Sequence, residues 1–471
     1  MYTIDTIYID GAFVTPHGTD DLALYNPSTE QQIGTVRLAD EVDANAAVAA
    51  AKRAFPAFSK TTKAERIAML TRLAAAVAAR GDELGRAMVE EYGAPAAFCG
   101  YSGPYSASIF LDTAKALETF EFERRAGSAE VTMVPLGVMA AIIPWNADQI
   151  FIATKLATAI AAGCTIVIKP SELSALQTRV MTECLHEAGL PPGVCNIVTG
   201  LGQTVGATLS AHPDVAKVSF TGSTGTGRAI LHAAADTMTR TTLELGGKGA
   251  TIVLDDADLD QALPIALGHA YLNSGQACIA GSRLLIPASR EADILPRLAA
   301  AVAQIKAGDP NDPTVSIGPV VNKRQWDRVQ GYIRLGLEEG AKLLAGGEGR
   351  PDGVDRGWFV RPTIFVNVKN DMRIAREEIF GPVLSVISYR DEADAIAIAN
   401  DTHYGLQSYV LSTDVERAKG IARQIETGRV VINQAPHDAL APFGGFKQSG
   451  MGRENGVFGI EALMEPRAIL A

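Results

Sequence analysis

Cysteine is scarce in this 471-residue chain: five residues, Cys99, Cys164, Cys184, Cys195 and Cys278, an odd number without C-x-x-C spacing. That argues against a disulfide framework or a structural zinc site and for a reducing compartment. Positive charge is also in short supply. Against 53 acidic residues stand 42 lysines and arginines, a net charge of −11 with no basic tract. Such a chain is poorly suited to holding nucleic-acid phosphates or an anionic membrane surface, so neither is expected as a partner. No apolar run reaches the ~18 residues of a membrane span. Met1–Asp5 lacks the charged head and apolar middle of a secretory leader. Repeats and low-complexity segments are missing too. The expectation is a soluble, cytoplasmic globular protein.

What is present is a large apolar fraction, 47%, over a length that calls for two large domains, or two plus an accessory element. The first ~135 residues read as a short β lead-in followed by packing helices. Thr62-Lys63-Ala64-Glu65 has capping-box spacing, with Ile67, Leu70, Ala74 and Val77 following on one helical face, and another helix is expected from near Asp43. From Val138 to Glu244 short apolar runs (Val138–Ile143, Thr165–Ile168, Asn196–Val198, Val215–Phe220, Thr241–Glu244) alternate with helical stretches. This predicts an α/β fold with a parallel sheet covered on both faces, which binds ligands beyond the carboxyl ends of its strands. A second alternating block follows to about Gly445, with strands expected at Ala250–Leu254, Ser282–Ile286, Val383–Tyr389 and Val430–Asn433. Glu118–Pro135 reads as a projecting hairpin around Arg125–Ser128, and the C-terminal ~25 residues as an arm or edge strand.

The strand ends in the first block are polar. They read Pro144-Trp145-Asn146, Lys169-Pro170-Ser171-Glu172, Thr221-Gly222-Ser223-Thr224-Gly225-Thr226-Gly227 and Glu244-Leu245-Gly246-Gly247-Lys248. Glycines at a strand-to-helix turn let backbone N–H groups approach a phosphate. The dinucleotide fingerprint G-x-G-x-x-G is nonetheless absent: from Gly225 the sixth position is Ile230. Glu172, at the end of the second strand, is placed either to grip a ribose hydroxyl or to sit at a helix N-terminus. Cys164, Cys184 and Cys195 have apolar neighbours, whereas Cys278 lies in Asn273-Ser274-Gly275-Gln276-Ala277-Cys278. A thiolate there can attack a carbonyl carbon, with an amide such as Asn146 and a backbone N–H holding the oxyanion and Glu244 activating water. No histidine is partnered with Cys278 in sequence, against a papain-like hydrolase.

These motifs, with Glu378-Ile379-Phe380-Gly381-Pro382, Asn400, Tyr404-Gly405-Leu406 and Pro442-Phe443-Gly444-Gly445-Phe446-Lys447 in order over nearly the whole chain, strongly resemble the aldehyde dehydrogenase superfamily. The resemblance implies a Rossmann-like cofactor domain (1–117 and 136–245), a second α/β catalytic domain (246–446) and a small β oligomerisation element (118–135 and 447–471). It implies Cys278 as nucleophile, Glu244 as general base and Asn146 in the oxyanion hole. The cofactor-binding set is Trp145, Lys169, Ser171, Glu172, Gly222, Ser223, Gly227, Leu245, Gly246, Glu378 and Phe380. Lys169 and Glu172 would face the adenosine ribose, Ser223 the pyrophosphate, Glu378 the nicotinamide ribose and Phe380 the nicotinamide. NAD is expected as the preferred cofactor with NADP possible, an aldehyde as substrate, and no metal.

The implied reaction runs through a cysteine thiohemiacetal and a thioester that water hydrolyses to the acid. Two alternatives remain: a CoA-acylating relative, against which Glu244 speaks, and a non-catalytic protein on the same scaffold. One departure from the family pattern is visible in Ala147-Asp148-Gln149 after Trp145-Asn146. Ala147 and Thr154 would widen the aldehyde tunnel and His437-Asp438 would add polarity to it, while Asp148 and Gln149 read equally as a helix start facing solvent. The hairpin and the apolar tail (Ala462–Met464, Ala468–Leu470) lead to the expectation of a homodimer or homotetramer, with the tail pairing against a neighbouring subunit.

Overall fold

The alternation from Val138 to Glu244 builds a parallel sheet in the computed structural model, which describes residues 1–471. Its strands are Val138–Ile142, Thr165–Lys169, Cys195–Ile197, Val215–Thr221 and Arg240–Glu244. In space they run in the order 240, 215, 138, 165, 195 by first residue, all parallel. The hairpin Ile7–Ile9/Ala12–Val14 extends one edge and Gly450–Met451 the other, both antiparallel. Val138–Ile142 and Thr165–Lys169 are buried at every position, which is why Val138–Ile142 and Ile166–Ile168 read as unbroken apolar runs. Val138, Ala140 and Ile142 pack on one face with the capped helix Glu41–Phe58. Met139 and Ala141 pack on the other with Lys63–Ala79, Ala96–Thr119 and Asp148–Ala162. The capping box forms as its spacing predicts, Thr62 N–H donating to Glu65 Oε2 at 2.7 Å.

The chain steps outward from Val138–Ile142 to 165 and 195, then returns to the other side for 215 and 240. The crevice between Val138–Ile142 and Val215–Thr221 is therefore the point where strand order reverses, the position at which open sheets of this kind take ligands.

The second sheet has seven strands in the order Lys342–Ala345, Thr363–Val366, Val383–Tyr389, Arg283–Pro287, Ala250–Val253, Gln407–Leu411, Arg429–Ile432. Only Lys342–Ala345 is antiparallel. Lys342–Ala345, Thr363–Val366 and Gln407–Leu411 were not anticipated. Gln407–Leu411 is buried throughout although it opens on two polar residues, and Gln407 bonds internally to Tyr409 and Arg429.

The segment Glu118–Pro135 does form a hairpin, Glu123–Ala126 against Ala129–Pro135. The tail strand Met464–Ile469 pairs with Ala129–Pro135 of its own chain, Met464 opposite Pro135 and Ile469 opposite Glu130. The tail is an edge strand of this three-stranded sheet, so its other side has no strand paired to it within the chain. Residues 447–463 pack with the first sheet before the tail begins: Gly450–Met451 joins that sheet, and Ile460 and Leu463 enter its core. No helix is long and apolar enough to cross a membrane.

Candidate active site

Two sheet edges face each other across the site. The first sheet contributes its carboxyl ends: Pro144-Trp145-Asn146 after Val138–Ile142, Thr221-Gly222-Ser223 at the end of Val215–Thr221, and Glu244 at the end of its strand. The second contributes segments that precede strands, with Cys278 ahead of Arg283–Pro287 and Glu378–Phe380 ahead of Val383–Tyr389. Together they line a cavity of about 450 Å³ that brings together Trp145, Asn146, Gly222, Ser223, Glu244, Leu245, Gly246, Cys278, Glu378 and Phe380. A larger cleft of about 870 Å³, bordered by Asp82, Arg86, Asp309 and Arg356, contains none of these residues.

The nucleophile candidate sits on a locked turn. Asn273, Ser274 and Gly275 have φ of +54°, +58° and +73°, a left-handed run that costs roughly 1–2 kcal/mol at each non-glycine position. Neighbours hold it in place. Ser274 Oγ accepts from Gly318 N–H at 3.0 Å, and Gln276 Oε1 accepts from Val321 N–H at 3.0 Å. Asn273 Nδ2 donates to the Asn146 carbonyl at 3.0 Å, and Asn146 Nδ2 donates to the Gln276 carbonyl at 3.0 Å. The Asn146 amide is thus tied to the loop carrying Cys278, with one N–H left over.

Cys278 is half-buried, whereas the other four thiols are buried. Burial pushes the Cys278 thiol up to about 12, with Glu378 and Glu244 adding to the rise. Burial does the same to Cys99 and Cys195, to about 12, and to Cys184, to about 11. Ionisation therefore does not single out Cys278; its opening onto the cavity does.

Glu244 is buried, and neither of its carboxylate oxygens has a hydrogen-bond partner. Burial, then the charge of Glu454, holds its carboxyl well above the ordinary range. Glu454 is itself paired with Lys155, whose ammonium also donates to Ser219 Oγ at 2.8 Å. A carboxylate left unpartnered in a low-dielectric wall is a stronger base than one in water.

Glu378 Oε1 accepts from Gly247 N–H at 3.1 Å, and burial raises its pKa to about 7. A Cβ at position 246 would fall 2.2 Å from Glu378 Oε2, so glycine there makes room for the carboxylate. Phe380, at φ +63°, meets the Trp145 ring edge-on at 5.6 Å. Ser223 caps the helix Thr224–Ala235, its Oγ accepting from Thr226 N–H, so that helix N-terminus opens on the cavity.

Lys169, Ser171, Glu172 and Gly227 do not line the cavity. Lys169 and Glu172 pair at 3.3 Å, and Ser171 Oγ accepts from Leu173 N–H at 3.2 Å at the start of a 3-10 turn. They occupy the same edge of the sheet, three strand spacings from Glu244, about 14 Å. Gly227 lets its helix sit against Leu245, whose Cδ2 would be 2.8 Å from an added Cβ.

Sequence reading missed Gln325 and Arg328, which also line the cavity. They lie in the first two turns after the Asn322 cap, and their side chains hold the backbone of the Glu378 segment. Gln325 Nε2 donates to the carbonyls of Ile379 and Phe380 at 3.1 and 2.8 Å, and Arg328 Nη2 to that of Glu378 at 2.5 Å. The capped start at Asn322 was a readable signal; the contact across about fifty residues was not. Asp148 and Gln149 are fully buried, which overturns the solvent-facing reading. Asp148 accepts from Ser174 Oγ and Thr178 Oγ1, each at 2.9 Å, and Gln149 donates to Ser102 Oγ at 2.6 Å.

Residues 13–469 match the model of the Aldehyde dehydrogenase family. A 3-succinoylsemialdehyde-pyridine dehydrogenase of a Pseudomonas species is 45% identical over 465 residues, 98% of each chain. Among solved structures, aldehyde dehydrogenase C of Pseudomonas syringae, a cysteine-to-alanine mutant with NAD+ and octanal, superposes with a TM-score of 0.97 at 42% identity. The match covers 99% of this chain and 96% of that one. A Mycobacterium tuberculosis aldehyde dehydrogenase complexed with NAD+ gives 0.96 at 39% identity, covering 100% and 98%.

Proposed function

We propose that this chain, which belongs to the aldehyde dehydrogenase family, oxidises an aldehyde to the carboxylic acid with NAD as hydride acceptor. The observation that carries the reading is the meeting of Cys278, Asn146 and the unpartnered Glu244 carboxylate on one 450 Å³ cavity.

The residues present fit the cofactor. Gly246 leaves a cradle beside the Glu378 carboxylate, and the Ser223 helix N-terminus suits a pyrophosphate. The row of strand ends from Glu244 to Lys169 matches a dinucleotide laid across the sheet edge. Glu172 and Lys169 would hold the adenosine ribose, with Ser171, Gly222, Gly227 and Leu245 shaping the path between. Glu378 would take the nicotinamide ribose, with Trp145 and Phe380 beside the ring. The Glu172 carboxylate would accept a hydrogen bond from the 2′-hydroxyl of NAD and repel the 2′-phosphate of NADP, an effect that Lys169 would partly offset.

Cys278 adds as thiolate to the aldehyde carbon, and Asn146 Nδ2 with the Cys278 backbone N–H receives the oxyanion. Bound NAD supplies the chemistry of accepting a hydride from that carbon. The acyl group is then held on the Cys278 sulfur as a thioester. Glu244 takes a proton from water as its oxygen attacks the thioester carbon, and the Cys278 thiolate leaves as the acid forms.

By this reading 1–117 and 136–245 serve the cofactor and 246–446 carries the chemistry. Residues 118–135 and the tail strand serve assembly into a homodimer or homotetramer. An aldehyde panel assayed by absorbance with NAD and with NADP, with and without CoA, tests the proposal. Reduced cofactor should form with both, faster with NAD, and CoA should not be acylated. Faster turnover with NADP would refute the ribose assignment, acylated CoA the hydrolytic step, and no reduction with any aldehyde the reaction itself.

A further inference from the structure

One cation near Cys278 is unused by this mechanism. Arg429 opens the strand Arg429–Ile432 and stands opposite Gln407 in register. Its Nε donates to Gln407 Oε1 at 2.5 Å, Gln407 Nε2 to Tyr409 Oη at 2.5 Å, and the Tyr409 hydroxyl to the Ile279 carbonyl at 2.8 Å. That chain of bonds ends on the residue after the nucleophile. Among the influences on the Cys278 thiol, which burial leads, Arg429 is the one cation.

The guanidinium has neutral partners only. Nη1 donates to His437 Nδ1 at 3.0 Å, which leaves the His437 Nε2–H to donate to Tyr105 Oη at 2.7 Å, a tautomer assigned from the network. Its carbon lies 5.0 Å from the centre of the Phe443 ring. Of the five N–H groups of an arginine, two are engaged here, and no carboxylate is bonded to it. A half-buried cation without a counter-ion carries a desolvation cost that a bound anion would relieve, and the planar fork matches a carboxylate.

We propose that Arg429 receives a carboxylate at the far end of the aldehyde, which makes ω-oxo acids the preferred substrate class. This deepens, and rests on, the cysteine-dependent oxidation proposed above. His437, itself held by Tyr105, anchors the fork, Phe443 flanks it, and Gln407 ties it through Tyr409 to the Cys278 loop.

Two measurements test it. In the first, kcat/KM is compared for 4-oxobutanoate and butanal in the wild type and in Arg429→Met. The wild type should favour the oxo acid at least tenfold, and the ratio should fall at least tenfold in the variant, mainly through KM for the oxo acid. A purely structural role for Arg429 would depress both substrates together and leave the ratio unchanged, which would overturn the inference. In the second, binding of butanedioate and butanoate to the wild type is measured by calorimetry, independent of turnover and of whether the variant folds. Tighter binding of the dianion by tenfold or more supports the assignment, and equal or weaker binding overturns it. If neither aldehyde is oxidised while butanedioate still binds selectively, the failure lies with the proposed reaction and not with Arg429.

Discussion

The other four thiols are buried, and Cys278 alone borders the cavity that holds Asn146 and Glu244. Replacement of Cys278 by Ala should therefore reduce aldehyde oxidation by roughly a thousandfold or more, while cofactor binding, followed by fluorescence titration, stays nearly unchanged. Ala at Cys99, Cys164, Cys184 or Cys195 should leave the chemistry intact. Turnover of Cys278→Ala within about tenfold of wild type, roughly 1.4 kcal/mol in barrier, would remove it from the nucleophile's role. Its environment also sets a pH dependence. Burial and two nearby carboxylates raise the thiol to about 12, so the thiolate fraction is small at neutral pH and grows as protons are withdrawn. Alkylation of the cofactor-free protein by iodoacetamide should climb about tenfold per pH unit from about pH 7 to about pH 10. A plateau near pH 8 would mean that the thiol is ionised by something other than these neighbours. At this scale much was legible in sequence: the strand-end positions of Asn146, Glu244 and Ser223 follow from alternation alone. Gln325 and Arg328 were not, because they act on the Glu378 segment through its backbone carbonyls, a contact that leaves no pattern in either stretch of sequence.

Elements meet the chemistry through their ends, and two glycines separate a positional requirement from a propensity. A Cβ on Gly275, at φ +73°, would stand 2.2 Å from the Gly381 carbonyl oxygen. Gly331, inside the helix Lys323–Glu338, has nothing within 4 Å. Gly275→Ala should lower the thermal midpoint and cut activity, with about 1–3 kcal/mol of strain before any steric displacement. Gly331→Ala should be neutral or stabilising by up to about 1 kcal/mol. Thermal melts of the two variants check this, and a Gly275→Ala protein with wild-type stability and activity would show that the turn is not locked. The first sheet was readable because its central strands, Val138–Ile142 and Thr165–Lys169, are short buried stretches dominated by apolar residues. The second was read in part, since Gln407–Leu411 hides two polar residues inside the sheet by bonding Gln407 internally. Its side of the site also lies at strand beginnings, where a rule about carboxyl ends does not look.

For the whole molecule, the tail closes a three-stranded sheet within its own chain, and the two outer edges of that sheet have no strand paired to them. Ile469 and Leu470 stay 49% and 78% exposed on it, an apolar surface that an isolated tail would not keep. Deleting Arg467–Ala471 should lower the mass found by sedimentation while far-UV circular dichroism is retained. Cutting from Gly459 would instead remove Ile460 and Leu463 from the first core and unfold it. A wild type that sediments as a monomer at micromolar concentration would defeat the assembly proposal. Sequence patterning showed that the hairpin and the tail needed partners; it could not show that each is the other's first partner, because an antiparallel pairing across more than three hundred residues leaves no local signal.

The central claim is that one thiol carries the acyl group and one carboxylate releases it. Rapid mixing of Glu244→Gln with NAD and an aldehyde, followed by intact-mass measurement and peptide mapping, tests it most directly. The account predicts an adduct on Cys278 equal to the mass of the aldehyde less two hydrogens, accumulating as reduced cofactor appears in a burst and persisting because hydrolysis is slowed. Continued multiple turnover with no adduct at Cys278 would contradict it.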